Sequence, residues 1–245
     1  MPTTNKNLNV SGTAHKAPKL ISIKHSLILS FCQTGKLCDF PRHQLKAPAD
    51  IMARRSIAKD AELAKQLLGN NPIVLVGLMG AGKTSVGRRL AEKLDIPFVD
   101  ADHEIETAAG KSIAEIFSDH GEDYFREGER RVIARLLENG KQVLATGGGA
   151  YMNEETRKRI KAHGISIWLK ADLELLLKRV SKRNDRPLLR ENPEAVMRNL
   201  MEKRYPTYAE ANITVDSRDV QHGQMVNDVI KAIVDWQGWD DNTNE

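Results

Sequence analysis

The stretch Gly77-Leu78-Met79-Gly80-Ala81-Gly82-Lys83-Thr84 constrains this chain more than any other. It fits G-x-x-x-x-G-K-[ST], a loop that wraps phosphate groups between a strand and a helix. Both flanks agree. Residues 72–76, Pro-Ile-Val-Leu-Val, form an apolar run of strand length, and residues 85–94 continue with helical periodicity. The glycines let the backbone curl until its N–H groups face inward, and the helix N-terminus adds partial positive charge. Gly80, Ala81, Gly82 and Ser85 are the expected backbone contacts of the phosphates. Lys83 is expected to reach the β and γ phosphates, and the Thr84 hydroxyl to ligate Mg²⁺. A nucleoside triphosphate is the implied ligand.

At 245 residues there is room for one sizeable α/β domain and an appendage. A formal charge of +4 and a pI near 9.0 invite a nucleic-acid reading, but the charge is unevenly placed. Up to Ile57 there are nine Lys and Arg against Asp39 and Asp50, so this segment carries +7 and the remainder −3. The basic character belongs to the N-terminal segment, and no nucleic-acid partner is expected. Both cysteines, Cys32 and Cys38, lie in that segment too, which leaves the rest without a disulfide framework or a thiolate metal site. No apolar run is long enough for a membrane span, and the expected compartment is the cytoplasm.

Residues 1–56 lack sustained periodicity and read as a disordered basic extension. The segment 20–31 faintly resembles a secretory core, and the basic, acid-poor composition also allows a transit peptide. The favoured reading is that Met52, followed by Ala53-Arg54-Arg55-Ser56, is the true start. The domain proper is expected over 57–240. A helix over 57–68 precedes the first strand, and further strands are expected at 96–100, 142–146, 165–169 and 213–215. Helices are expected at 103–109, 113–120, 122–139, 153–163, 173–182, 194–205 and 223–236. Strands alternating with helices give a three-layer α-β-α fold on a five-stranded parallel sheet.

The chemistry-bearing residues cluster at strand ends. Asp100 and Asp102 close the second strand, and period-two alternation would turn both carboxylates to one pocket. A strand-end turn with Asp capping the next helix explains them about as well. Arg126 and Glu129 share a helix face, either to hold a substrate carboxylate or as an intrahelical ion pair. Gly147, Gly148 and Gly149 allow close approach of backbone to a ligand, or simply a wide turn. Arg179, Arg183, Arg186 and Arg190 punctuate a polar stretch that reads as a mobile lid over about 180–193, or as a solvated basic loop. Arg157-Lys158-Arg159-Ile160-Lys161 reads as a wet helix face, and Trp168, Trp236 and Trp239 as packing residues.

Taken in order, GLMGAGKT, VDADHEIE, FREGE, TGGGA, RPLL and KRYPTY resemble the shikimate kinases, over about residues 70–236. The resemblance implies a P-loop kinase of the nucleoside-monophosphate-kinase-like branch, using ATP and Mg²⁺ to phosphorylate the 3-hydroxyl of shikimate, with a monomer expected. By position it implies Lys83, Asp102 and Arg186 as catalytic groups and Thr84 and Asp100 on the metal side. It implies Arg126 and Arg204 as clamps of the substrate carboxylate, with Glu129 and Gly147, Gly148 and Gly149 as further substrate contacts. Arg186 would contact phosphate and Arg179 stack on adenine, while residues 218–222 match no assignable pattern. Asp102, near Lys83 and several arginines, is expected to favour its ionised form. Two rivals stay open: another small-molecule kinase of this fold, for gluconate or a nucleotide, and a nucleotide-dependent switch without turnover.

Overall fold

The computed structural model describes residues 48–181 and 192–238, with side chains from Ser56 onward. Within them five strands build one parallel sheet: β1 (Ile73–Val76), β2 (Phe98–Asp100), β3 (Val143–Ala145), β4 (Ile165–Lys170) and β5 (Ile213–Asp216). Their order is β2-β3-β1-β4-β5, with β1 in the centre. Parallel strands covered on both faces must be apolar on both faces, and β1 and β3 are buried along their whole length. The register pairs Ile73 with Val143 on one side and with Ile165 on the other. The loops that follow β1 and β3 therefore emerge side by side.

Helix α1 (Pro48–Leu67) precedes the sheet and starts upstream of the expected Ile57, so the helix takes in the last part of the segment read as disordered. Ala61, Ala64 and Leu68 anchor this part of the chain in the core. Helix α2 (Lys83–Leu94) leaves the glycine loop and lays Val86, Leu90, Ala91 and Leu94 on the sheet. Gly87 makes that approach possible, because a Cβ there would lie 2.9 Å from both Leu75 and Phe98.

Helix α3 (Ala101–Ala109) begins two residues earlier than expected, capped by Asp100. The two helices expected over 113–139 are both present, end to end across a kink, and together make α4 (Ile113–Leu137), opened by the capping box of Ser112 and Glu115. It breaks at Gly121, where φ is 81° and ψ 179°. Ile105, Ile116 and Phe125 form a small core of their own under α3 and α4. That core fixes the arm from which Arg126 and Glu129 project. Then come a 3₁₀ turn (Ala150–Met152), α5 (Glu154–His163), α6 (Leu173–Val180), α7 (Pro193–Tyr208) and α8 (His222–Val234).

Of the stretch 180–193 expected as a lid, Val180 closes α6, Asn192 caps α7 and Pro193 opens it. Arg183, Arg186 and Arg190 lie outside the described residues, as does Trp239. No helix among the described residues is long and apolar enough to cross a membrane.

Candidate active site

At the carboxyl end of β1 the backbone enters the glycine loop. Gly80 and Gly82 hold φ near 84° and 103°, a region that L side chains rarely adopt. Helix α2 then starts without a capping side chain on Gly82, which leaves first-turn N–H groups as anion donors. The Lys83 ammonium folds over the loop and donates to the carbonyls of Gly77 (2.8 Å) and Leu78 (3.1 Å). Ser85 opens the helix beside it, partly buried.

Thr84 Oγ1 donates to Asp100 Oδ2 at 2.9 Å, while Asp100 Oδ1 accepts from the Asp102 amide at 3.2 Å. Asp100 thus caps α3, as one of the two sequence readings has it, and also faces the P-loop. A hydroxyl and a carboxylate oxygen side by side, next to an anion-binding loop, fit Mg²⁺. Asp102 sits in the first turn of α3 rather than on the strand. The alternation argument for it was therefore wrong, although its carboxylate does turn to the same side of the sheet.

The turn after β3 gathers the remaining groups. A Cβ on Gly147 would lie 2.8 Å from Asp102 Oδ1 and 2.9 Å from Glu129 Oε1. On Gly149 it would lie 2.5 Å from Arg126 Nη1. The Gly148 carbonyl accepts from Arg204 Nη1 at 3.1 Å and from the Tyr208 hydroxyl. A Cβ on Gly148 would come within 3.6 Å of Gly77 O and 3.7 Å of the Met79 amide, so this turn touches the P-loop. Side chains from α3, α4 and α7 thus converge where bare backbone leaves space for them. Close approach of the protein's own side chains accounts for Gly147 and Gly149. Gly147→Ala is expected to displace Asp102 or Glu129 and to weaken acceptor binding at least tenfold, with the nucleotide affinity nearly unchanged. Separate titrations of the two substrates check this.

Electrostatics in this corner run against expectation. Burial, followed by the neighbouring charge of Asp100, holds the Asp102 carboxyl above its ordinary range. Lys83 and Arg126 pull the other way without prevailing. Burial also raises Glu129, and its ion pair with Arg126 only partly offsets the shift. That pair is 2.7 Å long, and the Glu129 side chain is 4% exposed. Arg126 also meets Glu122 at 3.1 Å, but that carboxylate is 65% exposed and contributes little. The intrahelical ion pair is therefore real, and the guanidinium is still half open to a further partner.

Arg179 donates to Gly80 O (3.3 Å), Ala81 O (3.1 Å), Ser217 Oγ (2.9 Å) and Arg218 O (2.8 Å). It clamps the P-loop to the segment after β5. Three residues went unassigned in the sequence. Ser217 is buried in that clamp, and Tyr208 anchors Gly148, its phenol pushed up to about 12 by burial. Tyr205 donates to Ala171 O and meets Trp168 edge-on, with ring centroids 4.9 Å apart. The i, i+3 spacing of Tyr205 and Tyr208, which puts both on one helix face, was the available signal for the tyrosines. Trp168 is a packing residue, as expected.

The family model for shikimate kinase matches residues 79–234. A shikimate kinase of Rhodopseudomonas palustris is 53% identical over 179 residues, 73% of this chain and 88% of that protein. One of Bradyrhizobium diazoefficiens is 56% identical over 167 residues, 68% of this chain and 81% of the other. Among solved structures, the shikimate kinase of Acinetobacter baumannii in complex with shikimate is 40% identical, with a TM-score of 0.66. That match covers 70% of this chain and 97% of the solved one.

Proposed function

The chain belongs to the shikimate kinase family, and from that premise we propose how its residues divide the ATP-dependent phosphorylation of shikimate. The enzyme is a kinase that uses ATP and Mg²⁺ to make shikimate 3-phosphate on the route to chorismate and the aromatic amino acids. The observation that carries the residue-level reading is the contact between two half-sites. The glycine turn bearing Asp102, Glu129, Arg126 and Arg204 abuts the P-loop at Gly77 and Met79.

In this reading the P-loop amides of Gly80, Ala81, Gly82 and Ser85, together with Lys83, hold the phosphates. Thr84 and Asp100 would hold Mg²⁺, which would supply charge neutralisation of the phosphates. Arg126 and Arg204 grip the shikimate carboxylate, and Glu129 fixes Arg126 in place. Asp102 orients the 3-hydroxyl in line with the γ phosphorus. As the new O–P bond forms and the bond to the β-phosphate oxygen breaks, Asp102 takes up the hydroxyl proton. Phosphoryl transfer passes through a loose transition state, so alignment matters more than base strength. Arg179 bounds the adenine side, and Arg186, outside the described residues, is assigned to the phosphates as part of a lid.

The reading takes the enzyme to act as a monomer. We assign the enzyme to the cytoplasm, with no nucleic-acid or membrane partner. Sedimentation at working concentration tests the monomer. The reaction is tested by coupled ADP release with shikimate, gluconate and nucleoside monophosphates as acceptors. Stimulation by shikimate alone is expected. Stimulation by another acceptor instead, or ATP binding with no turnover, would replace this reading by one of the two rivals.

A further inference from the structure

Ser217 is 5% exposed and lies directly after β5, far from the phosphate loop in sequence. Its hydroxyl uses both of its capacities within the clamp. It donates to Ala81 O at 3.0 Å and accepts from Arg179 Nη1 at 2.9 Å. The same Arg179 nitrogen reaches Gly80 O and Ala81 O, so hydroxyl, guanidinium and P-loop carbonyls close a ring. The Ser217 backbone is itself tied down, its amide donating to Lys170 O at 2.5 Å. Arg218, next along, donates its amide to Met225 Sδ at 3.5 Å.

The consequence follows from peptide geometry. A peptide unit is planar and trans, so fixing a carbonyl fixes the N–H of the next residue on the opposite side. Holding Gly80 O aims the Ala81 amide, and holding Ala81 O aims the Gly82 amide. The Ala81 amide donates within the loop to Leu78 O at 3.2 Å, so the Gly82 amide is the donor that the clamp aims at the anion site. Gly82 sits at a φ of 103° beside Gly80 at 84°, where glycine backbone has little stiffness of its own. The Gly82 amide, unlike that of Ala81, takes its aim from the clamp on Ala81 O.

We propose that Ser217 is a positioning residue of the nucleotide site, acting through the peptide plane that joins Ala81 to Gly82 to set ATP affinity. The proposal rests on the kinase reading above. It does not require Ser217 to touch the nucleotide, and it gives the residue no part in acceptor binding.

The test is Ser217→Ala in the full chain, with steady-state kinetics for each substrate and calorimetric titration of ATP without shikimate. Loss of one buried hydroxyl that serves two partners is expected to raise the KM and Kd for ATP about tenfold. The KM for shikimate is expected to stay within about twofold of wild type, a split that a general loss of structure would not produce. Ser217→Thr, which keeps the hydroxyl, is expected to restore ATP binding to near wild type. Wild-type ATP affinity in Ser217→Ala would overturn the proposal, and so would an equal rise in both KM values. Wild-type enzyme in the same assay separates the two claims. If it releases no ADP with shikimate, the kinase reading falls; if it turns over normally while Ser217→Ala binds ATP as well, only the role of Ser217 falls.

Discussion

Asp102→Asn is expected to lower kcat by about 10²–10⁴-fold, the usual worth of a positioned general base, while ATP affinity changes little. The Asp102 carboxylate lies against Gly147 at the junction of the two half-sites. An amide there can still contact a hydroxyl but cannot take its proton. The same substitution is expected to stabilise the enzyme without ligands. Burial raises the pKa of Asp102 in the folded chain above its ordinary value of 3.8. Between that value and the folded one, the folded chain keeps a proton that the unfolded chain has released. This group therefore takes stability away as pH rises through the window. The melting-temperature difference between Asp102→Asn and wild type should start near zero at the acid end, grow with pH and then level off. Loss of activity with a gain in stability is the pattern of a strained site. Loss of both would mark Asp102 as structural.

Arg126→Ala is expected to raise the KM for shikimate by about 10²-fold, because two charge-assisted hydrogen bonds to a carboxylate are lost together. Its kcat at saturating shikimate should fall much less, since the group grips a remote part of the acceptor. The variant should also be less stable. Glu129 is buried, and losing Arg126 leaves its charge without its ion-pair partner, although the guanidinium itself is 34% exposed. Adding Glu129→Gln removes the stranded charge. The double variant should regain much of the melting temperature while its KM for shikimate stays high. Recovery of KM along with stability would mean that Arg126 only supports Glu129. Failure of the double variant to regain stability would mean that the buried charge is not the cause.

How far the sequence could be read followed from the range of the interactions involved. The P-loop unit is local: strand, glycine turn and helix are contiguous, so Gly77 to Thr84 could be placed outright. Sheet strands with fully buried patterns were legible for the same reason. Asp102 was aimed correctly by an argument that does not hold, because the cap made by Asp100 ends the strand before period-two alternation can reach it. The break at Gly121 was visible as glycine punctuation, and two helices do meet there across a kink. The Asp102 pKa was misjudged because sequence shows which charges are near and not how deeply a group is buried. The clamp of Arg179 and Ser217 had no sequence signal at all. Its members lie on different elements, one hydroxyl among many, and only the fold brings them together.

The account turns on one claim, that the acceptor lies on the Gly147–Gly148–Gly149 turn between Asp102 and the two arginines. A crystal structure of the enzyme with shikimate, ADP and Mg²⁺ tests it most directly. The predicted result puts the shikimate carboxylate against Arg126 and Arg204, with the 3-hydroxyl in hydrogen-bond reach of Asp102. Shikimate bound away from that turn, or with its carboxylate facing the P-loop, would contradict it.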